Sequence, residues 1–484
     1  MKFLMVYPNQ QEVGCKPVSI SMFSAIIKKA GHEFRLFDTT VWKIYSEGIS
    51  KDIGEDRFEY KKVSNPERIP DRPMLTLLSV KTLLQKEVEN YKPDFIGFMS
   101  LIHFFPLAKE LGTFVKTFSS VPIIVGGIHA TTCPDEVIKE SFVDMVCIGE
   151  GEGALLDLLN GQDPISIQNL WVKRNGQIHK NALRPMIDDL DSLPFPDWDI
   201  YNEIQFYKPY MGKVYRYGDI ERSRGCPFGC GYCVNPYIHS LYTEKSFRAK
   251  STPRMIDELH YLTDRHKIEF IRFWDELFVF GKRFKEFSKA YSKEIALPFT
   301  IETTGESIND ETARLLKDMN CQSVSIGFET GSEDLRKRIL NKGAKNKVYM
   351  KAFKALKKAG IRSVAFIMLA IPEDNEKNYW DTIRFLKEAE VDTVCVSFFY
   401  PFRKTAIREK YAEEYERLYP HIDDVLNTKL DIHPILTDIP AERWAEFGNL
   451  MGLYKELPEW LWSSVPGNLN LMRWLVYHYK YGVL

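Results

Sequence analysis

The stretch from Arg222 to Pro236, Arg-Ser-Arg-Gly-Cys-Pro-Phe-Gly-Cys-Gly-Tyr-Cys-Val-Asn-Pro, constrains this chain more than any other. Cys226, Cys230 and Cys233 stand in a C-x3-C-x2-C spacing, with Pro227, Gly229 and Gly231 between them, so the segment is a loop and not a helix. A tight glycine-rich loop turns three thiolates toward one point, and two metal readings compete. A structural zinc site wants four closed protein ligands, and the next cysteine in the chain is Cys321. A cubane iron–sulfur cluster normally takes four thiolates as well. Three from one loop would leave one iron open to a small molecule, which makes this a candidate catalytic site.

The rest of the composition narrows the setting. A length of 484 residues allows two or three domains. Lys+Arg total 65 against 66 for Asp+Glu, which gives no electrostatic footprint for nucleic acid. Eight cysteines in this length are not a disulfide scaffold, and an oxygen-sensitive cluster needs a reducing compartment, so a cytoplasmic location is expected. The N-terminus, Met-Lys-Phe-Leu-Met-Val-Tyr-Pro, has no signal-peptide layout, and no run of 18 or more apolar residues is present to span a membrane.

Residues 1–165 alternate strand and helix patterns, with strands at Lys2–Tyr7, Glu33–Phe37, Asp94–Met99, Val121–Val125 and Asp144–Ile148. The pattern predicts an α/β fold with an open, doubly wound parallel sheet, which binds ligands at the carboxyl ends of its strands. A charged insertion, Thr40–Arg72, is expected to pack loosely on the surface. The loops at the strand ends include Ser100-Leu-Ile-His103, Gly126-Gly-Ile-His129 and Gly149-Glu-Gly-Glu-Gly153. Glycines there let a backbone approach a bulky ligand. Residues 166–215 read as a linker strap, with a hairpin around Asn175-Gly176 and then the extended run Asp188-Asp-Leu-Asp-Ser-Leu-Pro-Phe-Pro-Asp-Trp198. From 216 to 402 a strand-then-helix pattern repeats six times, with strands near Asp219–Ser223, Ile268–Phe273, Pro298–Thr303, Ser323–Phe328, Ser363–Leu369 and Thr393–Phe399. Six such units predict a partial (β/α)6 barrel of the TIM type, with its reactive groups at the strand ends.

The spacing of the cysteines, with an aromatic residue (Tyr232) just before the last one, resembles the signature of radical S-adenosylmethionine (SAM) enzymes. The resemblance implies that Cys226, Cys230 and Cys233 hold a 4Fe–4S cluster. Its open iron takes the amino and carboxylate groups of SAM, and reductive cleavage gives a 5′-deoxyadenosyl radical. The Gly-Gly-Ile-His-Ala and Gly-Glu-Gly-Glu elements resemble the cobalamin-binding domain fused to such barrels, so the first sheet is expected to be a cobalamin-binding, Rossmann-like domain. Carried over position by position, the cobalamin contacts would be Ser100, Leu101, His103, Gly126, Gly127, His129, Gly149, Glu150 and Gly151, although His103 by itself reads as an ordinary loop histidine. Many cobalamin proteins place a cobalt-ligating histidine after the first strand. Here that loop is Asn-Gln-Gln-Glu-Val-Gly-Cys-Lys-Pro, without one.

The same resemblance lays Tyr232 along adenine, turns Asp275 or Glu276 toward the amino end of SAM and Glu329 toward its ribose, and makes Glu302 a further candidate. Against it stands the plainer reading that each carboxylate pairs with a nearby Lys or Arg. Relatives often carry an arginine after the third barrel strand. This chain has Thr304-Gly-Glu-Ser307, so no role for that arginine is carried over. A second cluster on Cys15, Cys133 and Cys147, as in methylthiotransferases, does not match that family's spacing.

Residues 403–484 form an aromatic-rich, helical C-terminal region with Trp444, Trp460, Trp462 and Trp474, and with Tyr454, Tyr477, Tyr479 and Tyr481. The bland reading is a cap on the open barrel. The sharper one is a wall for a large apolar substrate, or peripheral contact with a membrane. The resemblance thus implies a cobalamin-dependent radical SAM C-methyltransferase. It would act on a small-molecule or lipid-like substrate through methylcobalamin and be fed by a donor such as flavodoxin or ferredoxin. An oxidative cyclase of the anaerobic porphyrin-ring type is the alternative. A non-enzymatic cobalamin or metal sensor is disfavoured by the carboxylates at the barrel mouth.

Overall fold

The structure, a computed structural model, describes residues 1–9, 16–45, 63–69, 71–243, 247–281, 283–420 and 432–465. The expectations for Cys15, for most of the charged insertion and for Trp474, Tyr477, Tyr479 and Tyr481 lie outside these residues. The chain divides into two compact units. Of the described residues, the first holds those of Met1–Arg224 and Tyr237–Arg272, and the second those of Gly225–Pro236, Phe273–His421 and Leu430–Leu484.

The first unit opens with five parallel strands, β1 (Lys2–Tyr7), β2 (Glu33–Asp38), β3 (Phe95–Met99), β4 (Ile123–Gly126) and β5 (Met145–Cys147), in the spatial order β2-β1-β3-β4-β5. The helices α1 (Val18–Lys29), α2 (Leu77–Tyr91), α3 (Phe105–Lys116), α4 (Ile128–Thr132) and α5 (Glu152–Leu159) occupy the crossovers. The strands read as near-continuous apolar runs because both faces are covered. Alternate residues feed two separate cores: Leu4, Val6, Ile96, Phe98, Ile123 and Val125 pack on one face, and Phe3, Met5, Tyr7, Ile124 and Met145 on the other. The order reverses between β1 and β3, the kind of switch point where open α/β sheets bind ligands.

Two findings extend the expected sheet. The hairpin of β6 (Leu170–Arg174) and β7 (Gln177–Lys180) does turn at Asn175-Gly176, both with positive φ (53° and 75°), and its first strand pairs antiparallel with β5. At the near end of the charged insertion, Thr39 and Thr40 are fully buried, and Thr40 donates to Asp38 from both its N–H and its hydroxyl. A short parallel pair, Lys43–Tyr45 with Met74–Thr76, brackets the insertion.

Further along the first unit, β8 (Tyr207–Tyr210) and β9 (Lys213–Ile220) form an antiparallel hairpin. The first barrel strand therefore starts at Lys213 and not at Asp219. Met211 (φ 48°) and Gly212 (φ 75°) make the turn that pins its start, a left-handed pair that gives no strong signal with Met in the first position. Ser223 belongs instead to a two-residue strand, β10 (Ser223–Arg224), paired with β11 (Arg248–Ala249). The helix α6 (Asn235–Ser240) follows the cysteine loop, and α7 (Thr252–His266) and β12 (Phe270–Phe273) come after β11.

In the second unit, β13 (Phe299–Thr303), β14 (Cys321–Glu329), β15 (Arg362–Leu369) and β16 (Thr393–Phe398) lie side by side and parallel. Between these strands the chain forms α9 (Asp310–Asp318), α10 (Glu333–Arg338), α11 (Asn346–Ala359) and α12 (Glu376–Glu388), with α8 (Phe284–Glu294) ahead of them. The fold class is α/β throughout: a doubly wound parallel sheet first, then strand–helix units of a partial barrel, then helices. Near the C-terminus, α13 (Ala441–Glu456) stacks Phe447 on Tyr379 of α12 at 4.1 Å, and Trp462 stacks on Trp380 at 5.0 Å. These tail aromatics pack on the barrel's own helix. Among the described residues no helix is long and apolar enough to cross a membrane.

Candidate functional site

The cysteine loop is held by backbone. Gly231 N–H donates to Leu340 O at 2.8 Å, Ile407 N–H donates to Gly231 O at 3.0 Å, and the Asn341 side-chain amide donates to Gly229 O at 2.6 Å. A Cβ on Gly231 would stand 3.1 Å from Ile339 O, so this close approach needs glycine. Cys226, Cys230 and Cys233 are half-buried, free thiols. Burial pushes all three up from the ordinary thiol value, Cys226 to about 11; neighbouring thiolates add to it at Cys226 and Cys233, and the Glu329 charge adds to it at Cys230. A cubane spreads its terminal thiolates over separate irons, and three cysteines on one loop can supply three of them.

Next to this loop the Tyr232 hydroxyl donates to Glu329 Oε1 at 2.8 Å. Burial first, and then the Glu329 charge, hold the phenol well above its ordinary value, so it stays a donor. Glu329 is buried, has φ 68°, and sits beyond a bulge in the β14–β15 register. Lys342 reaches the same oxygen at 3.2 Å and also donates to Gly327 O. Burial works against the Lys342 charge, but the Glu329 carboxylate, together with Tyr349 and Cys230, outweighs it and holds the ammonium above its usual range. A Cβ on Gly327 would lie 2.5 Å from Glu329 Oε1 and 2.9 Å from Lys342 Nζ, so a side chain there would have to displace the Glu329–Lys342 pair. Arg336 is fully buried against the Phe328 and Tyr349 rings and donates to Thr330 O and Ala344 O, which fixes the turn after β14.

The structure thus brings Tyr232 and Glu329 together beside the cysteines. Glu276 is exposed, and its charge acts on Cys226 and Cys233. Asp275 is buried just after β12, and Glu302 is half-buried on β13. Sequence reasoning missed Lys342, Asn341 and Arg336. All three lie on the segment after β14, where no spacing rule marks the bond of Asn341 to Gly229, of Lys342 to Glu329 or of Arg336 to Thr330.

The first unit presents a second constellation at the ends of β3, β4 and β5. Ser100 is fully buried, and its Oγ has no hydrogen-bond partner among the described residues. Its N–H donates to Gly126 O at 2.7 Å, and its carbonyl accepts from His129 N–H at 3.2 Å. Gly127 has φ 112°, and a Cβ there would stand 2.6 Å from Ser100 O. Thr131, which sequence reasoning also missed, donates from its hydroxyl to Gly127 O at 3.0 Å and accepts from Gly149 N–H at 3.0 Å, joining the loops after β4 and β5. His129 is buried with its ring 4.7 Å from that of Phe105. Leu101 and His103 are half-buried, and burial lowers the His103 proton affinity. Glu150 carries a carboxylate already committed to Arg224 and Arg248. Burial alone would raise it, but the Arg248 hydrogen bonds and both guanidinium charges hold it below its ordinary value. An orphaned buried hydroxyl beside a glycine-lined gap fits the entry of a bulky, polar cofactor tail.

A parallel sheet with such a slot, followed by a β/α half-barrel with a three-cysteine loop, defines a two-cofactor radical enzyme class. The comparisons agree. The radical SAM superfamily matches residues 220–386, and the B12-binding domain matches residues 77–159. An uncharacterized methyltransferase of Pyrococcus horikoshii is 26% identical over 334 residues, covering 67% of this chain and 71% of that one. The anaerobic magnesium-protoporphyrin IX monomethyl ester cyclase of Rubrivivax gelatinosus is 21% identical over 436 residues, covering 86% and 71%. The solved radical SAM methyltransferase TsrM of Kitasatospora setae, with cobalamin and a [4Fe-4S] cluster bound, superposes with a TM-score of 0.63 at 15% identity over 86% of this chain and 75% of that one. The chain belongs to the radical SAM enzymes that carry a cobalamin-binding domain, and its cofactors are those of that class: a 4Fe–4S cluster, SAM and cobalamin.

Proposed function

We propose that this enzyme methylates an unactivated carbon of a small or lipid-like molecule, drawing electrons from a flavodoxin- or ferredoxin-type donor. When bound, the cluster and cobalamin supply reductive cleavage of SAM and carriage of a methyl group. The chain's own residues do the placing. Cys226, Cys230 and Cys233 hold the cluster, and the Leu340–Lys342 turn fixes the loop that carries them. Tyr232 lies along the adenine, and Glu329, oriented by Tyr232 and Lys342, accepts from the ribose hydroxyls. Asp275 or Glu276 serves the amino end, with Glu302 on the neighbouring strand as a further contact. Ser100 and the Gly126-Gly127 turn admit the cobalamin tail, and Leu101, His103, His129, Gly149 and Gly151 line its slot. The backbone of Glu150 contributes there, since its carboxylate is engaged elsewhere.

The observation that carries this reading is the presence of both cofactor folds on one chain that is similar to a methyltransferase. The test is anaerobic reconstitution with iron, sulfide and hydroxocobalamin, followed by metal, sulfide and cobalamin analysis. Four irons with one tightly held cobalamin are expected. Four irons without cobalamin would remove methyl transfer by this route. Cys226→Ala, Cys230→Ala and Cys233→Ala should each abolish the cluster and SAM cleavage, and intact cleavage in any one of them would refute the ligand assignment. A second reading, oxidative cyclisation, is favoured by the cyclase relative that covers 86% of the chain. Product mass separates the two: a gain of one methylene for methylation, a loss of hydrogens or a gain of oxygen for cyclisation.

A further inference from the structure

We propose that Arg224 and Glu150 are positioning residues that couple occupancy of the cobalamin loop, Gly149–Glu152, to occupancy of the cysteine loop. The inference rests on the reading of those two loops given above. Arg224 is the last residue of β10 and stands two positions before Cys226. Its guanidinium is largely buried and meets three carboxylates: Glu152 Oε1 at 2.9 Å, Glu150 Oε1 at 3.1 Å and Glu221 Oε1 at 2.8 Å. On the other side of the cysteine loop, β11 pairs with β10 in antiparallel register, Arg224 opposite Arg248. Arg248 grips Glu150 with two bonds, Nη2 to Oε1 at 2.9 Å and Nη1 to Oε2 at 3.0 Å, and also donates to Ile187 O at 2.6 Å. Between these flanks, Tyr242 sets its hydroxyl directly against Gly149, where any Cβ would overlap it.

The excursion that carries all three cluster cysteines therefore enters and leaves through residues fastened to the cobalamin loop. These contacts belong to the first unit, as do β10, Tyr242 and β11, while the cysteines themselves are joined to them by the chain. The fastening has little slack. Both Glu150 oxygens are engaged, with Ile187 N–H donating to Oε2 at 2.8 Å. A Cβ on Gly151 would stand 3.2 Å from the Phe23 ring and 3.4 Å from Cys147 Sγ, so the loop is backed by packed side chains. A ligand that shifts Gly149–Gly151 moves Glu150 and Glu152, and buried ion pairs transmit such a shift because breaking one leaves an uncompensated charge.

The experiment is a pair of hydroxocobalamin titrations of the full-length chain, followed by absorbance, before and after anaerobic loading with iron and sulfide, with iron content measured in both. Cluster loading is expected to tighten cobalamin binding by about 5- to 150-fold, and cobalamin to slow chelator-driven iron loss in return, since coupling of this kind is reciprocal. Arg224→Gln and the milder Glu152→Gln should bring the affinity ratio toward one with both cofactors still bound. A variant that merely loosens the fold would weaken both affinities and keep the ratio. An equal cobalamin affinity with and without the cluster, in the unaltered chain with both cofactors demonstrably bound, overturns the coupling and leaves the site reading intact. Absence of cobalamin binding, or of the cluster, overturns the site reading and the coupling with it.

Discussion

Glu329 shows how much local backbone one carboxylate can require. It sits at φ 68° beyond a bulge, and its side chain and the Lys342 ammonium occupy the space that a Cβ on Gly327 would take. Gly327→Ala should displace that pair without touching the cysteines. Losing one charge-assisted bond of about 1.5–3 kcal/mol corresponds to SAM binding weaker by roughly 10- to 150-fold. Equilibrium SAM binding to the cluster-loaded variant, at unchanged iron content, is the measurement. Asp374 carries a different signature. Burial pushes its carboxyl up to about 7, against hydrogen bonds from Asn378 and from the Asn375 N–H that favour the charged form. The folded state thus binds this proton more tightly than the unfolded chain does. The associated stability is present below the ordinary carboxylate value near 3.8 and is lost as pH rises from there through about 7. Asp374→Asn keeps the acceptor oxygen and removes the charge. From pH 5 to pH 8 the unfolding free energy from urea titrations should fall more for the parent chain than for the variant, by about 2.7 kcal/mol, at about 1.36 kcal/mol per pH unit over the roughly two units between pH 5 and the folded value near 7. Parallel profiles would show that Asp374 is not held neutral.

At the scale of elements, the strand-to-helix turn from β4 to α4 and the loop after β3 act together. Ser100 Oγ is buried and unpartnered among the described residues, which costs about 1–3 kcal/mol when nothing binds it. Ser100→Ala should therefore hold or raise thermal stability in the absence of cobalamin while lowering cobalamin affinity. A fall in both would make the hydroxyl an ordinary structural group. The parts legible in the sequence are those with short-range rules. Strands such as Lys2–Tyr7 show as apolar runs, Asn175-Gly176 announces its hairpin, and the cysteine spacing carries its own geometry. The parts not legible depend on pairings with no local rule. The start of β9 is set by a Met211-Gly212 turn, and the hairpin's addition to the first sheet needs the exposed edge of β5. Arg224 and Glu150 meet across 74 residues, and Lys342 reads from sequence as one more surface lysine. Glu329 combines both readings: it pairs with a lysine, as the plain expectation had it, and it also receives the Tyr232 hydroxyl.

At the scale of the whole molecule, segments far apart in the chain are joined inside the first unit by a buried charge cluster that no binding role explains. Lys16, just before α1, pairs with Asp219 on β9 at 2.7 Å, and both side chains are fully buried. Lys208 on β8 shares the same carboxylate at 3.2 Å, and Lys16 also donates to Gln205 O and Tyr217 O. Gln205 in turn donates to Asp38 and Thr40 at 2.7 Å each, reaching the end of β2. The cluster thus ties the entry to the first helix, the end of the second strand and the first barrel strand. Asp219→Ala leaves two ammoniums without their shared carboxylate and should cost about 3–5 kcal/mol, the range for breaking a buried pair. Lys16→Met should cost less, because Lys208 remains as counter-ion to Asp219. Replacing all three at once with Met, Leu and Met should recover much of the loss, since apolar groups of similar volume are often neutral or stabilising in place of buried charges. Urea unfolding of the four chains decides it. Recovery in the triple variant identifies the cluster as a device for register among distant segments. No recovery would mean that its charges also satisfy backbone groups, such as Gln205 O and Tyr217 O, that apolar side chains cannot.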